Sequence, residues 1–125
     1  MQNEIVVSPL GKTWILDLDG TVVKHNGYLL DGQDSLLPGA KEFLSQIQKD
    51  DMVIFVTSRT KEQSGFTEAF LNENHIRFDA VIYGAPYGER ILVNDKKPSG
   101  LCTAIALSPE RDQACDVKLR VDNSL

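Results

Sequence analysis

The chain has 125 residues, enough for one domain with a real core and too few for two. Hydrophobic residues make up 42% and charged residues 25%, the balance of a globular chain rather than a disordered or fibrous one. A formal net charge of −5 argues against nucleic acid or a membrane surface as partner, because both call for a basic face; a small phosphate ligand held by a few local cations and N–H groups stays open.

The N-terminal "MQNEIVVSPLGK" lacks the basic start and long apolar stretch of a signal peptide. No apolar run approaches the ~20 residues of a membrane helix. Cys102 and Cys115 have neither CxxC spacing nor the density of a disulfide scaffold. Together these features lead to the expectation of a cytoplasmic protein with reduced thiols.

In chain order, "TWILDL" (Thr13 to Leu18) is a short apolar run bounded by turn residues and is expected to form a buried strand. The polar interval from Val22 to Leu37 follows, and its Asn26-Gly27 pair predicts a β-hairpin flap over about 22–37. "LLPGAKEFLSQIQKDD" carries Pro38 at a plausible first turn and Ala40, Phe43, Leu44 and Ile47 at helical spacing. "MVIFVT" (Met52 to Thr57) reads as a second buried strand. A helix then begins at a Thr60/Gln63 capping box, with Phe66, Ala69 and Phe70 on its inner face.

Three more apolar runs, "DAVIY" (Asp79 to Tyr83), "RILVN" (Arg90 to Asn94) and "CTAIAL" (Cys102 to Leu107), are expected as strands. Strands alternating with helices imply an α/β fold, a mainly parallel sheet covered on both faces in three Rossmann-like layers. The whole of 1–125 is read as a single domain, with 108–125 as a tail or edge segment.

In open parallel sheets ligands sit beyond the carboxyl ends of the strands. Asp17 and Asp19 stand there after the first strand, Thr57, Ser58 and Arg59 after the second, and Asn94, Asp95, Lys96 and Lys97 after the fourth. Two carboxylates at i and i+2 repel each other unless a cation or a shared proton intervenes. A hard cation with oxygen ligands, most simply Mg²⁺, would relieve that repulsion and recruit a phosphate. His75, near a helix end, is most simply a surface or capping residue, whereas His25 and Tyr28 lie in the flap nearer the aspartates.

"ILDLDGTVV" resembles the first motif, DxDGT, of the haloacid dehalogenase superfamily of phosphohydrolases. "VIFVTSR" resembles its second motif and "ILVNDKKP" its fourth, so the resemblance spans about Thr13 to Leu107. It implies a Mg²⁺-dependent phosphatase acting on a small phosphorylated metabolite such as a sugar phosphate. Asp17 would be the nucleophile that forms an aspartyl-phosphate, and Asp19 the proton donor and acceptor. Mg²⁺ would be held by the Asp17 carboxylate, the Asp19 main-chain carbonyl and the Asn94/Asp95 pair. Gly20, Thr57, Ser58 and Arg59 would contact the phosphoryl group.

Two departures stand out. The superfamily's lysine before the fourth motif is missing from "YGAPYGERILVND", which leaves Arg90 as its nearest substitute, with Lys96, Lys97 and Arg59 as further candidates. Asn94 stands where a second acidic residue is often found. Neither gap between motifs has room for a cap domain, so a homo-oligomer, dimer or tetramer, is expected to close the site. A phosphate-binding scaffold with an impaired site is the competing function; a receiver-like phospho-acceptor domain fits less well, because its aspartate ends the third strand.

Overall fold

The structure, a computed structural model, describes residues 3–125. Its elements are β1 (Glu4–Val7), β2 (Thr13–Leu16), α1 (Gly27–Leu30), α2 (Ala40–Leu44), β3 (Met52–Val56), a 3₁₀ turn (Lys61–Gln63), α3 (Ser64–Glu73), β4 (Ala80–Ile82) and β5 (Lys118–Val121). The first two apolar runs and "DAVIY" do form strands, all parallel, in the order β2-β3-β4. Ile15 pairs with Ile54 and Ile54 with Ala80, so the apolar residues of neighbouring strands alternate between faces in step.

One face of this sheet carries the core. Val53 and Phe55 of β3 are fully buried there with Leu16, Leu18, Val23 and Leu71. Trp14 joins them and meets Phe43 edge-on, ring centroids 5.8 Å apart. The helix after β3 begins as expected: Gln63 Oε1 accepts a 2.7 Å bond from the Thr60 N–H. Its inner face is shifted by one residue, however. Thr67 and Leu71 are buried, while Phe66 is 46% exposed and leans on Tyr28 instead.

The opposite face stays open. Ile15, Met52 and Ile82 are each about half exposed, so the described residues form two layers rather than the expected three. The reason lies after β4. "RILVN" and "CTAIAL" form no strand, and Ile91 and Val93 are 86% and 89% exposed. Gly84, Pro86 and Gly88 before this segment, and Pro98 and Gly100 after it, turn the chain repeatedly and deny it a ladder or a helical cover.

The flap also differs from a two-residue hairpin. Val22–Lys24 and Ser35–Leu37 do run antiparallel, joined by Lys24 N–H to Ser35 O at 3.0 Å and Leu37 N–H to Val22 O at 2.9 Å. Between them Asn26, in the left-handed conformation (φ 56°), starts the single turn α1 instead of reversing the chain. Asn26 supplies a positive φ, but the reversal is spread over the ten residues from His25 to Asp34.

The tail is part of the fold. β5 pairs in parallel with β1, from Glu4 beside Lys118 to Val7 beside Val121. Gln46 ties this ladder to the helical layer: its amide donates to Val117 O (3.0 Å) and accepts from Leu119 N–H (2.7 Å). Among the described residues no helix is long and apolar enough to cross a membrane.

Asp51, buried at the start of β3, closes the opposite end of the sheet. Its carboxylate accepts from Lys12 N–H (2.9 Å), Gln48 N–H (2.8 Å) and Trp14 Nε1–H (2.9 Å). Burial opposes its ionisation, but the bonds from Gln48, Lys12 and Trp14 outweigh it and hold the carboxyl below its ordinary value of 3.8. The folded state therefore binds this proton less readily than the unfolded state. The stability it gives is complete above pH ~4 and is lost as pH falls through the folded value. Asp51→Ala is expected to cost about 2–4 kcal/mol in urea unfolding at pH 7, because three donors lose one acceptor group. The variant's stability should also fall less steeply than the wild type's below pH 4.

Candidate functional site

β2 and β3 end side by side, and their register sets Asp17 next to the last residues of β3. The chain beyond β2 folds over itself, with the Thr21, Val22 and Val23 N–H groups all directed at Leu18 O (3.3, 2.9 and 3.1 Å). Gly20 makes this loop possible. Its φ is +81°, and a Cβ there would lie 3.1 Å from Arg111 Cγ. Leu18, between the aspartates, points into the core and anchors the loop.

Asp17 is presented outward, its side chain 37% exposed. Thr21 Oγ1 donates to one carboxylate oxygen and Arg90 Nη1 to the other, both at 2.9 Å. The segment that was expected as a fourth strand thus still delivers its leading cation to the first aspartate. An ion pair this exposed contributes at most ~1 kcal/mol to stability.

Asp19 faces a different surrounding. Arg59 grips it side-on, Nε to Oδ2 at 3.0 Å and Nη2 to Oδ1 at 2.8 Å. Asp34, from the return arm of the flap, takes Nη1 and Nη2 of the same guanidinium at 3.0 and 2.8 Å. Thr67 Oγ1 of α3 accepts the remaining Nη1 proton at 2.9 Å. The Tyr28 ring lies 4.6 Å and the Phe66 ring 5.6 Å from the guanidinium carbon. Burial works against the charge on Arg59, but its hydrogen bonds to the Asp19 and Asp34 carboxylates more than compensate and raise its pKa further.

Of the other strand-end residues, Thr57 is buried beneath the site and its hydroxyl accepts the Arg59 N–H at 3.1 Å. Ser58 is half-buried between them. Asn94, Asp95, Lys96 and Lys97 lie in an exposed loop closed on itself: Asn94 Nδ2 donates to Thr103 O (3.1 Å), Thr103 Oγ1 to Asp95 O, and Lys97 N–H to Leu101 O (3.1 Å). Among the described residues no hydrogen bond or ion pair joins these four to either aspartate.

Among the described residues no three His, Cys, Asp or Glu side chains gather into a metal cage. The donors available at the loop, a carboxylate from Asp17 and the main-chain carbonyl of Asp19, are hard oxygens. They suit Mg²⁺, which typically takes one or two protein carboxylates and completes its octahedron with water and phosphate.

Asp34, Thr67 and the tail are the participants that sequence reasoning missed. Asp112 donates its N–H to Gly20 O (2.8 Å) and accepts the His25 N–H on its carboxylate (2.7 Å), which docks the tail on the aspartate loop. Asp34 sits in a polar interval with no periodicity to mark it. Only the need of a buried arginine for more than one counter-charge could have pointed there. No family model matches this chain, and neither does any curated protein or solved structure.

Proposed function

We propose that this chain is a phosphomonoester hydrolase working through a phosphorylated Asp17. The observation that carries this reading is the state of Asp17 itself, an outward-facing carboxylate with a hydroxyl on one oxygen and an arginine on the other. Asp17 attacks phosphorus as the bond to the ester oxygen breaks, and the departing oxygen takes a proton from Asp19. Water then attacks the same phosphorus, giving its proton back to Asp19 and releasing Asp17 and inorganic phosphate.

Arg59 uses only two of the roughly four acceptor positions on the Asp19 carboxylate, so a proton can still be carried there. Arg90 takes the part of the cation that restrains the nucleophile and meets the phosphoryl oxygens. Mg²⁺, held by the Asp17 carboxylate and the Asp19 main-chain carbonyl, would supply positive charge against the phosphate; the Asn94/Asp95 pair could join only if its loop moved toward the aspartates. The half-exposed apolar face at Ile15, Met52 and Ile82 supports a homo-oligomer, dimer or tetramer. Sedimentation of a strict monomer at micromolar concentration argues against that assembly.

The test of the function is hydrolysis of a generic aryl phosphate with Mg²⁺ and again after EDTA. Turnover should drop at least tenfold on chelation and return with Mg²⁺; no turnover in either condition overturns the enzyme. The isolation of Asn94 and Asp95 in their exposed loop favours the competing reading, a phosphate-binding protein without turnover. Under that reading phosphate binds but no ester is cleaved. Arg90→Ala is expected to lower kcat/KM about 10–100-fold. Its thermal midpoint should stay within ~2 °C of the wild type's, since the Asp17 pair is exposed.

A further inference from the structure

All five N–H donors of Arg59 are spent inside the chain, on Asp19, Asp34 and Thr67. A guanidinium in that state has nothing left to offer a phosphate. Its side chain is 2% exposed and that of Asp34 3%, whereas Asp19 keeps 20%. Asp19 is therefore the one end of the cluster that a substrate can reach. The Tyr28 and Phe66 rings over the guanidinium limit its movement and keep water from its faces.

We infer that Arg59 and Asp34 are positioning residues that fix the Asp19 carboxylate for proton transfer, Arg59 by gripping it and Asp34 by holding Arg59 from the flap. This role rests on the phosphatase reading. Orientation matters because the donor must meet the leaving oxygen along one direction while the Asp17–phosphorus bond forms. Asp34 also makes the flap part of the machinery: if its arm lifts, the guanidinium loses two of its bonds and Asp19 loses its fixed orientation.

The basicity of the leaving oxygen separates this role from a merely structural ion cluster. An alkoxide needs the proton from Asp19 as the ester bond breaks, while a nitrophenolate departs without it. Asp34→Asn keeps the shape and one acceptor, and is expected to lower kcat/KM for an alkyl phosphate about 30–100-fold but for nitrophenyl phosphate about threefold at most. Arg59→Lys, which keeps the charge without the fork, should show the same split. Equal losses on both substrates, or none on either, overturn the inference.

Solvent exchange of the Arg59 Nε proton, followed by NMR, gives a readout independent of turnover. It should be slow in the wild type and at least tenfold faster in Asp34→Asn, with the Phe55 amide of β3 unchanged. Exchange in the wild type at the rate of free arginine overturns the inference even in an active enzyme. A wild type that cleaves neither ester overturns the phosphatase reading and this role with it, while the exchange rate still decides separately whether the grip exists.

Discussion

Asp17→Asn should abolish turnover of an aryl phosphate, with a loss of about 10³-fold or more in kcat. An amide oxygen of the same shape cannot displace an ester oxygen from phosphorus to any useful extent, so the covalent route closes. The change is small in every other respect. Thr21 keeps an acceptor, and the lost ion pair with Arg90 is more than a third exposed on both sides. Stability should therefore move by less than ~1 kcal/mol, and a circular-dichroism melt beside the assay separates lost chemistry from lost fold. Turnover that survives the substitution would assign the nucleophile elsewhere, and the reading built on Asp17 would fall.

Arg59→Met should be the most destabilising single change at the site, costing about 3–5 kcal/mol in urea unfolding at pH 7. The side chain volume is roughly kept, so the cost is electrostatic. Asp34, 3% exposed, is left without the cation that neutralises it, Thr67 loses a donor, and Asp19 faces Asp34 unscreened. Against a total stability of about 5–15 kcal/mol for a domain, that is a large share. Adding Asp34→Leu should recover part of the loss, because the stranded charge is then removed as well. A cost below ~1 kcal/mol for Arg59→Met would mean that water reaches Asp34 and shares its charge.

The strands around the site were legible because a buried parallel strand leaves a plain mark. "TWIL" and "MVIFV" are short, apolar and bounded by turn residues, and they end side by side, Leu16 paired with Phe55, so that Asp17 and Thr57 follow neighbouring strand ends. The capping box at Thr60 was legible for the same reason, since its chemistry is local. "RILVN" has the same composition as β3 but no ladder, because composition states only that a segment tolerates pairing and never that a partner edge is within reach. β1 and β5 went unread as a pair. Each is short, and the register between them depends on contacts made across the whole chain.

Arg59 shows the same limit at the level of one side chain. Its position after β3 identified it as a cation near the aspartates, but its partners come from a flap arm and a helix that periodicity does not bring together. A sequence displays donors and acceptors; which of them are already spoken for depends on the fold.

The ladder between β1 and β5 also bears on how the molecule is made. Its two strands come from opposite ends of the described chain, and neither pairs within the three-stranded sheet. The 3₁₀ turn and α3 need only contacts close in sequence, whereas this pairing must wait for the most distant strand-to-strand closure among the described residues. During synthesis β1 emerges well before β5 and stands without its partner until the whole of the intervening chain has followed it. The tail that carries β5 also carries Asp112, which docks on Gly20. The aspartate loop therefore receives this contact only after the chain has been made as far as Asp112.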